Sequence, residues 1–315
     1  MYRKAVIFGI KGTKLTIEEK YLFKKHKPWG IILFSRNIKN ISQAKALTND
    51  IKKNLKDKNY PILIDQEGGS VSRLNKIIDL SLFPQSYFGQ LYRYIKKNFQ
   101  HHYKIHINMV SDILKKIGVN INIVPVLDVR RKKSHKIIDD RSFSENPLIV
   151  EKLGKLCDNF YKKNHIATVI KHVPGLGLSK CDSHFDLPII ESKKNLLIKN
   201  DFKPFRKVLS LFAMTAHAVY KIYDPVFTAT HSKFIIKDII RKYMGFNGIL
   251  ISDDISMKAL KYGLKKNAII ALDAGCNLIM HCNGNIKEMR ELVKVIPKID
   301  IFTQKKTSHF YKYLG

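Results

Sequence analysis

Cysteine is scarce in this chain. The four residues, Cys157, Cys181, Cys276 and Cys282, form no C-x-x-C pair. That spacing excludes a thioredoxin-like motif and a zinc ribbon, both of which need closely paired ligands. The expectation is four reduced, mostly buried thiols. Long apolar runs are also missing. None approaches the ~20 residues of a membrane span. The run Ala5–Ile10, after the basic start Met1-Tyr-Arg-Lys, falls short of the roughly 7–15 residues of a secretory core and lacks a cleavage site. A cytoplasmic protein without a membrane span is therefore expected. No Gly/Ser linker, repeat or low-complexity segment interrupts the chain, so a single domain over residues 1–315 is expected.

Acidic residues are few. There are 26 Asp and Glu against 57 Lys and Arg, a formal net charge of +31 in 315 residues. The cations are scattered in short groups such as KKH, RRKK, YKKN and SKKN, between apolar runs. A nucleic-acid module would gather them on one motif or tail. The expectation is a solvated basic surface that can help to draw in an anionic substrate, with no nucleic-acid partner and a monomeric state.

What the chain does contain is apolar runs of strand length. There are eight: Ala5–Ile10, Gly30–Phe34, Pro61–Ile64, Asn120–Val126, Ala167–Ile170, Leu211–Thr215, Gly248–Ile251 and Asn277–Met280. Each suits a strand buried on both faces. Stretches with helical spacing lie between them: Thr16–His26, Ser42–Asn54, Tyr103–Lys116, Asn146–Asn164, Lys233–Tyr243, Lys258–Ala274 and Ile286–Val295. A further helical stretch, Ser192–Leu209, is broken near Pro204. Eight alternations fit a closed (β/α)₈ barrel, with an open doubly wound sheet as the rival pattern.

Polar residues follow the apolar runs. The third run leads into Asp65-Gln66-Glu67-Gly68-Gly69 and the fourth into Asp128. The fifth leads into Lys171-His172, the sixth into His217, the seventh into Ser252-Asp253-Asp254, and the eighth into His281-Cys282-Asn283. A single Asp after a strand commonly caps a helix or shapes a turn. Polar groups at six of eight strand ends point instead to the C-terminal face of a barrel, where side chains from distant sequence positions converge. The loop KHVPGLGLSKCDSHFDLP, from Lys171 to Pro188, is rich in Pro and Gly near its start. It places Asp182 two residues before His184, a pair that can orient an imidazole for proton transfer.

Taken together, the segments GIILFSRNI, ILIDQEGGSVSRL, INIVPVLDV, DRSF, KHVPGLG with CDSH, MTAH, GILISDDISM and AGCNLIMHCN resemble glycoside hydrolase family 3. The likeness is to its short bacterial β-N-acetylglucosaminidase branch, and the segments occur in the family's order from about residue 30 to 283. The resemblance implies a single (β/α)₈ barrel with no metal or organic cofactor. It implies Asp253 as nucleophile, His184 as acid/base and Asp182 as the partner that orients it. Asp65, Arg73, Arg141, Lys171 and His172 match residues that hold the N-acetylated sugar, and Asp128 and His217 match positions lining the same pocket. The implied substrate is a carbohydrate or muropeptide with a terminal N-acetylglucosamine, hydrolysed with retention of configuration during cell-wall recycling.

Two positions depart from the family pattern. Ser70 stands where Arg is usual, and Leu176 stands where His or Arg is usual. A metal-dependent barrel hydrolase built on His172, His184, His217 and Asp253 is the alternative enzyme class, but the H-x-H pair such barrels carry after the first strand is absent.

Overall fold

The computed structural model describes residues 3–131, 135–206, 208 and 210–314. Met1 and Tyr2 of the basic start, Lys132 and Lys133 of the RRKK run, and Leu209 at the end of an expected helix lie outside the described residues. Eleven strands occur among the described residues. They are β1 (Lys4–Gly9), β2 (Pro28–Leu33), β3 (Ile62–Ile64), β4 (Ile121–Asn122), β5 (Ala167–Val173), β6 (Ile189–Ile190), β7 (Phe212–Thr215), β8 (Val219–Tyr220), β9 (Asp224–Thr228), β10 (Ile249–Asp254) and β11 (Leu278–His281). All eight expected strands are present. They close a parallel barrel in the order β1-β11-β10-β7-β5-β4-β3-β2, so the open-sheet alternative is excluded. The strands are buried along nearly their whole length, as a sheet covered on both faces requires.

The helices start where the sequence provides caps. Thr16 accepts the Glu19 N–H, and the Glu19 carboxylate accepts the Thr16 N–H, closing a capping box on the helix Ile17–His26. Asn146 caps the helix Pro147–Lys163, with Pro in the first turn. Asn285 caps Ile286–Val295.

Several expectations need correction. The regular part of the fourth strand spans only Ile121–Asn122, because Pro125 has no N–H to give a ladder. The helix expected over Lys258–Ala274 begins at Leu264, after Gly263 at φ 76°. The stretch Ser192–Leu209 holds only short turns: Lys194–Leu196, a π turn at Leu197–Asp201 and a 3₁₀ turn at Lys203–Phe205. The helix Gln85–Tyr94 and the small sheet β6-β8-β9 were not anticipated.

The Lys-rich segment after Pro297 lies beyond the eight alternations read from the sequence. It forms the helix Ile301–Leu314, with Thr303, Thr307 and Phe310 buried. The Trp29 indole donates to Thr307 Oγ1 at 2.9 Å, and Phe310 packs on Trp29 and Phe212. Trp29 and Phe212 stand near the starts of β2 and β7, so this helix plugs the N-terminal end of the barrel. The opposite end is left open for chemistry.

Candidate active site

Strand β3 delivers Asp65 and Glu67, and β5 delivers Lys171. The Lys171 ammonium is buried and bonds to both carboxylates. Glu67, itself 1% exposed, also takes a two-pronged contact from Arg141, with Nε to Oε2 at 2.8 Å and Nη2 to Oε1 at 2.9 Å. Arg73 reaches the other oxygen of Asp65 at 3.3 Å. Burial pushes the Asp65 carboxyl up, but Lys171, Arg73 and Arg141 outweigh it and hold the group well below the usual carboxylate range. Burial pushes Arg141 down and Glu67 more than reverses it, so the guanidinium stays charged. The cluster is thus a set of fixed ionic hydrogen-bonding groups. Gln66 supports it by accepting the N–H groups of Arg73 and Leu74, while Asn122 of β4 accepts the Gln66 N–H.

Asp128 is fully buried. One of its oxygens lies 2.7 Å from His172 Nδ1, and the other accepts the Leu176 N–H at 2.6 Å. The imidazole is therefore oriented with Nε2 as its free edge. Leu176 keeps its loop in place through the backbone, and its apolar side chain is buried. Ser70 donates both its N–H and its hydroxyl to Asp140, at 2.9 and 2.8 Å. It ties the β3 loop to the residue preceding Arg141, so the two departures from the family pattern sit in formed contacts.

Asp253 and Asp254 end β10 and are told apart by their partners. The Asp254 carboxylate accepts the N–H and hydroxyl of Ser256, so it shapes the following turn. Among the described residues the Asp253 carboxylate accepts one hydrogen bond, from the Asp254 N–H at 2.8 Å. Burial raises the Asp253 carboxyl, but the imidazoles of His217, His172 and His184 and that N–H bring it below its usual value. It is ionised at neutral pH. The buried His217 sits behind this strand end, with Nε2 3.1 Å from the Asp254 carbonyl and Nδ1 2.7 Å from Thr230 Oγ1. A carbonyl can only accept, so Nε2 carries the proton. Burial lowers the imidazole's proton affinity, which agrees with a neutral ring.

The 171–188 loop brings in His184. Its side chain is 60% exposed, and its Nδ1 lies 2.7 Å from Asp182 Oδ1. The same oxygen accepts the His184 N–H. The Ser183 carbonyl accepts the Ala259 N–H from beyond β10, and the loop runs on into β6. Gly177 is required near its base, because a Cβ there would stand 2.0 Å from the Val129 carbonyl oxygen.

These elements enclose a cavity of about 170 Å³ at the C-terminal mouth of the barrel. Asp65, Arg73, Arg141, Lys171, His172, His184 and Asp253 all line it, beside apolar walls from Phe34, Ile123, Met214 and Met280. Asp128 and His217 do not line it, contrary to expectation; they lie behind His172 and the β10 end and hold them. Asp182 likewise stands behind His184. A wider surface groove of about 600 Å³ near Lys11, Glu18, Asn283 and Lys287 contains none of these residues. Cys282 also reaches the cavity, but burial, reinforced by Asp254 and Asp253, holds its thiol protonated, which argues against a cysteine nucleophile.

Glu67 was not singled out from the sequence as a site residue. Its signal was present: a carboxylate two residues after Asp65 at a strand end. Only the packing reveals that it bridges Lys171 and Arg141. Among the described residues no group of three or more His, Cys, Asp or Glu is arranged to hold a metal ion, and no helix is long and apolar enough to cross a membrane.

The chain as a whole is similar to known proteins. The model of the glycosyl hydrolase family 3 N-terminal domain matches residues 5–309. A beta-hexosaminidase of Alkalilimnicola ehrlichii is 32% identical over 283 residues, covering 88% of this chain and 80% of that protein. The crystal structure of native NagZ from Neisseria gonorrhoeae superposes with a TM-score of 0.88 at 29% identity, over 100% of this chain and 90% of that one. A family 3 beta-N-acetylglucosaminidase from Paenibacillus superposes at 0.86 with 23% identity, a likeness of fold; this chain spans 60% of its length.

Proposed function

The chain belongs to glycosyl hydrolase family 3, and from that premise we propose that it is a retaining exo-β-N-acetylglucosaminidase. The observation that carries this reading is that Asp253 and His184, 69 residues apart in sequence, line one cavity together with Asp65, Lys171 and Arg141, whose cations are joined by Glu67.

In this reading the sugar rests on the cluster. Lys171, Arg141 and Arg73 donate to its oxygens, and Asp65 and the Nε2 edge of His172 accept from its hydroxyls. The Asp253 carboxylate attacks the anomeric carbon as the glycosidic C–O bond breaks. His184 Nε2 gives its proton to the leaving oxygen, and Asp182 stabilises the imidazolium through Nδ1. In the second step neutral Nε2 takes a proton from water. The resulting hydroxide equivalent attacks the same carbon and releases Asp253. Two displacements restore the β configuration.

The natural substrate in this reading is an N-acetylglucosamine-terminated wall fragment met in the cytoplasm during recycling. The net charge of +31 favours fragments that carry carboxylates. Turnover of an anionic muropeptide and of neutral chitobiose, compared across ionic strength, tests this. The muropeptide kcat/KM should fall more steeply with salt, and equal slopes would reject the charge argument. Hydrolysis of a chromogenic β-glucoside in preference to the β-N-acetylglucosaminide would overturn the sugar assignment.

A further inference from the structure

A second surface of the molecule has features of its own, and nothing in the catalytic reading uses it. Residues 80–111 contain no Asp or Glu. They carry Arg93, Lys96, Lys97 and Lys104, and they hold many of the large apolar side chains that face solvent. Leu82 is 78% exposed, Tyr94 85% and Ile105 54%; Phe83, Tyr87, Ile95 and Met109 are also exposed.

Helical geometry gathers these groups into one patch. On the helix Gln85–Tyr94, the exposed Tyr87 and Tyr94 recur at i and i+7, with Leu91 between them half-buried against the core. On the helix Phe99–Lys116, Ile105 and Met109 recur at i and i+4. The Phe83 ring joins the two stripes, with its centroid 5.4 Å from Tyr87 and 5.7 Å from His106. Lys96 and Lys97 sit in the connection between the helices. Asp79 and Asp112 stand at the edges of this segment, Asp112 paired with Lys115, and apolar side chains beside Arg93, Lys96, Lys97 and Lys104 are the composition of an interfacial membrane-binding surface.

We propose that this two-helix face docks on an anionic lipid bilayer, with Leu82, Tyr94, Ile95 and Ile105 entering the headgroup region and Lys96, Lys97 and Lys104 meeting lipid phosphates. Charge complementarity selects this occupant. A second copy of the chain would set two basic faces against each other. A nucleic acid would ask for flat aromatic platforms among the cations, whereas Leu82, Ile95, Ile105 and Met109 are aliphatic. The patch adjoins the loop after β3: the Phe83 carbonyl lies against Gly68 and Pro84 against Gly69. The proposal stands independently of the sugar chemistry.

The test is flotation of the full chain with vesicles of phosphatidylglycerol and phosphatidylcholine, beside vesicles of phosphatidylcholine alone. Binding is expected to the anionic vesicles and to be at least tenfold weaker to the neutral ones. Ile95→Asn with Ile105→Asn, which leaves net charge unchanged, should weaken binding at least tenfold while turnover of a chromogenic substrate stays at the parental level. Lys305→Glu with Lys312→Glu, on the helix at the opposite end of the barrel, should change binding less than threefold. Failure to bind anionic vesicles overturns the proposal. So does an equal loss in the Lys305/Lys312 variant, which would mean net charge alone. A stable dimer broken by the Ile95/Ile105 changes, or tighter binding to an RNA homopolymer than to vesicles, overturns it as well.

Discussion

His184 and Asp182 meet twice through one oxygen. Asp182 Oδ1 lies 2.7 Å from His184 Nδ1 and accepts the His184 backbone N–H at 2.9 Å. The carboxylate fixes both where the loop turns and which ring nitrogen faces the cavity. In the proposed mechanism this holds an exposed histidine in position to donate a proton.

Asp182→Asn keeps the hydrogen-bonding shape and removes the counter-charge. It should lower kcat about 10²-fold with little change in KM. Steady-state kinetics of the variant beside the parent would show the loss in kcat against KM.

Glu67 lies between two buried cations. Glu67→Ala leaves Lys171 and Arg141 facing each other without a carboxylate between them. Breaking a buried pair in this way costs about 3–5 kcal/mol. Denaturant titration should show that loss, and KM should rise in parallel as the sugar-facing donors lose their register.

Acid should weaken the fold in two windows. Burial holds the His106 and His231 imidazoles down at about 4. The unfolded chain therefore binds these protons first, and stability falls as pH drops from about 6.5 towards 4. Asp65 and Asp253 are also depressed, so their contribution is full above about pH 4 and is lost only below it. His106→Phe should flatten the upper window by about 1–3 kcal/mol in unfolding experiments at pH 7 and pH 4.5.

Phe310 is fully buried against Trp29 and Phe212. Phe310→Ala should cost about 3–5 kcal/mol. The fluorescence of Trp29, the only tryptophan in the chain, should shift to the red in the variant. Activity per folded molecule should be preserved, because the helix closes the end of the barrel remote from the cavity.

Much of the barrel was legible in the sequence because its strands are buried on both faces and read as unbroken apolar runs. The helix Ile301–Leu314 was not. Its apolar residues sit only at its two ends, and two of its three buried positions are Thr303 and Thr307, so no continuous apolar stripe marks it. Asp253 and His184 were legible as strand-end and loop residues, and the cavity brings them together. What the sequence hid is the tier behind them. Asp128, His217 and Glu67 act through other side chains, and only packing distinguishes a residue that faces the cavity from one that holds its neighbour.

The central claim is that Asp253 and His184 carry the two displacements. The most direct test is turnover of a chromogenic β-N-acetylglucosaminide by the parent chain and by Asp253→Ala, His184→Ala and Asp254→Ala. A fall of about 10³-fold or more is expected for Asp253→Ala and His184→Ala. A much smaller loss is expected for Asp254→Ala, whose carboxylate serves the turn at Ser256. An Asp253→Ala enzyme with parental activity would contradict the claim.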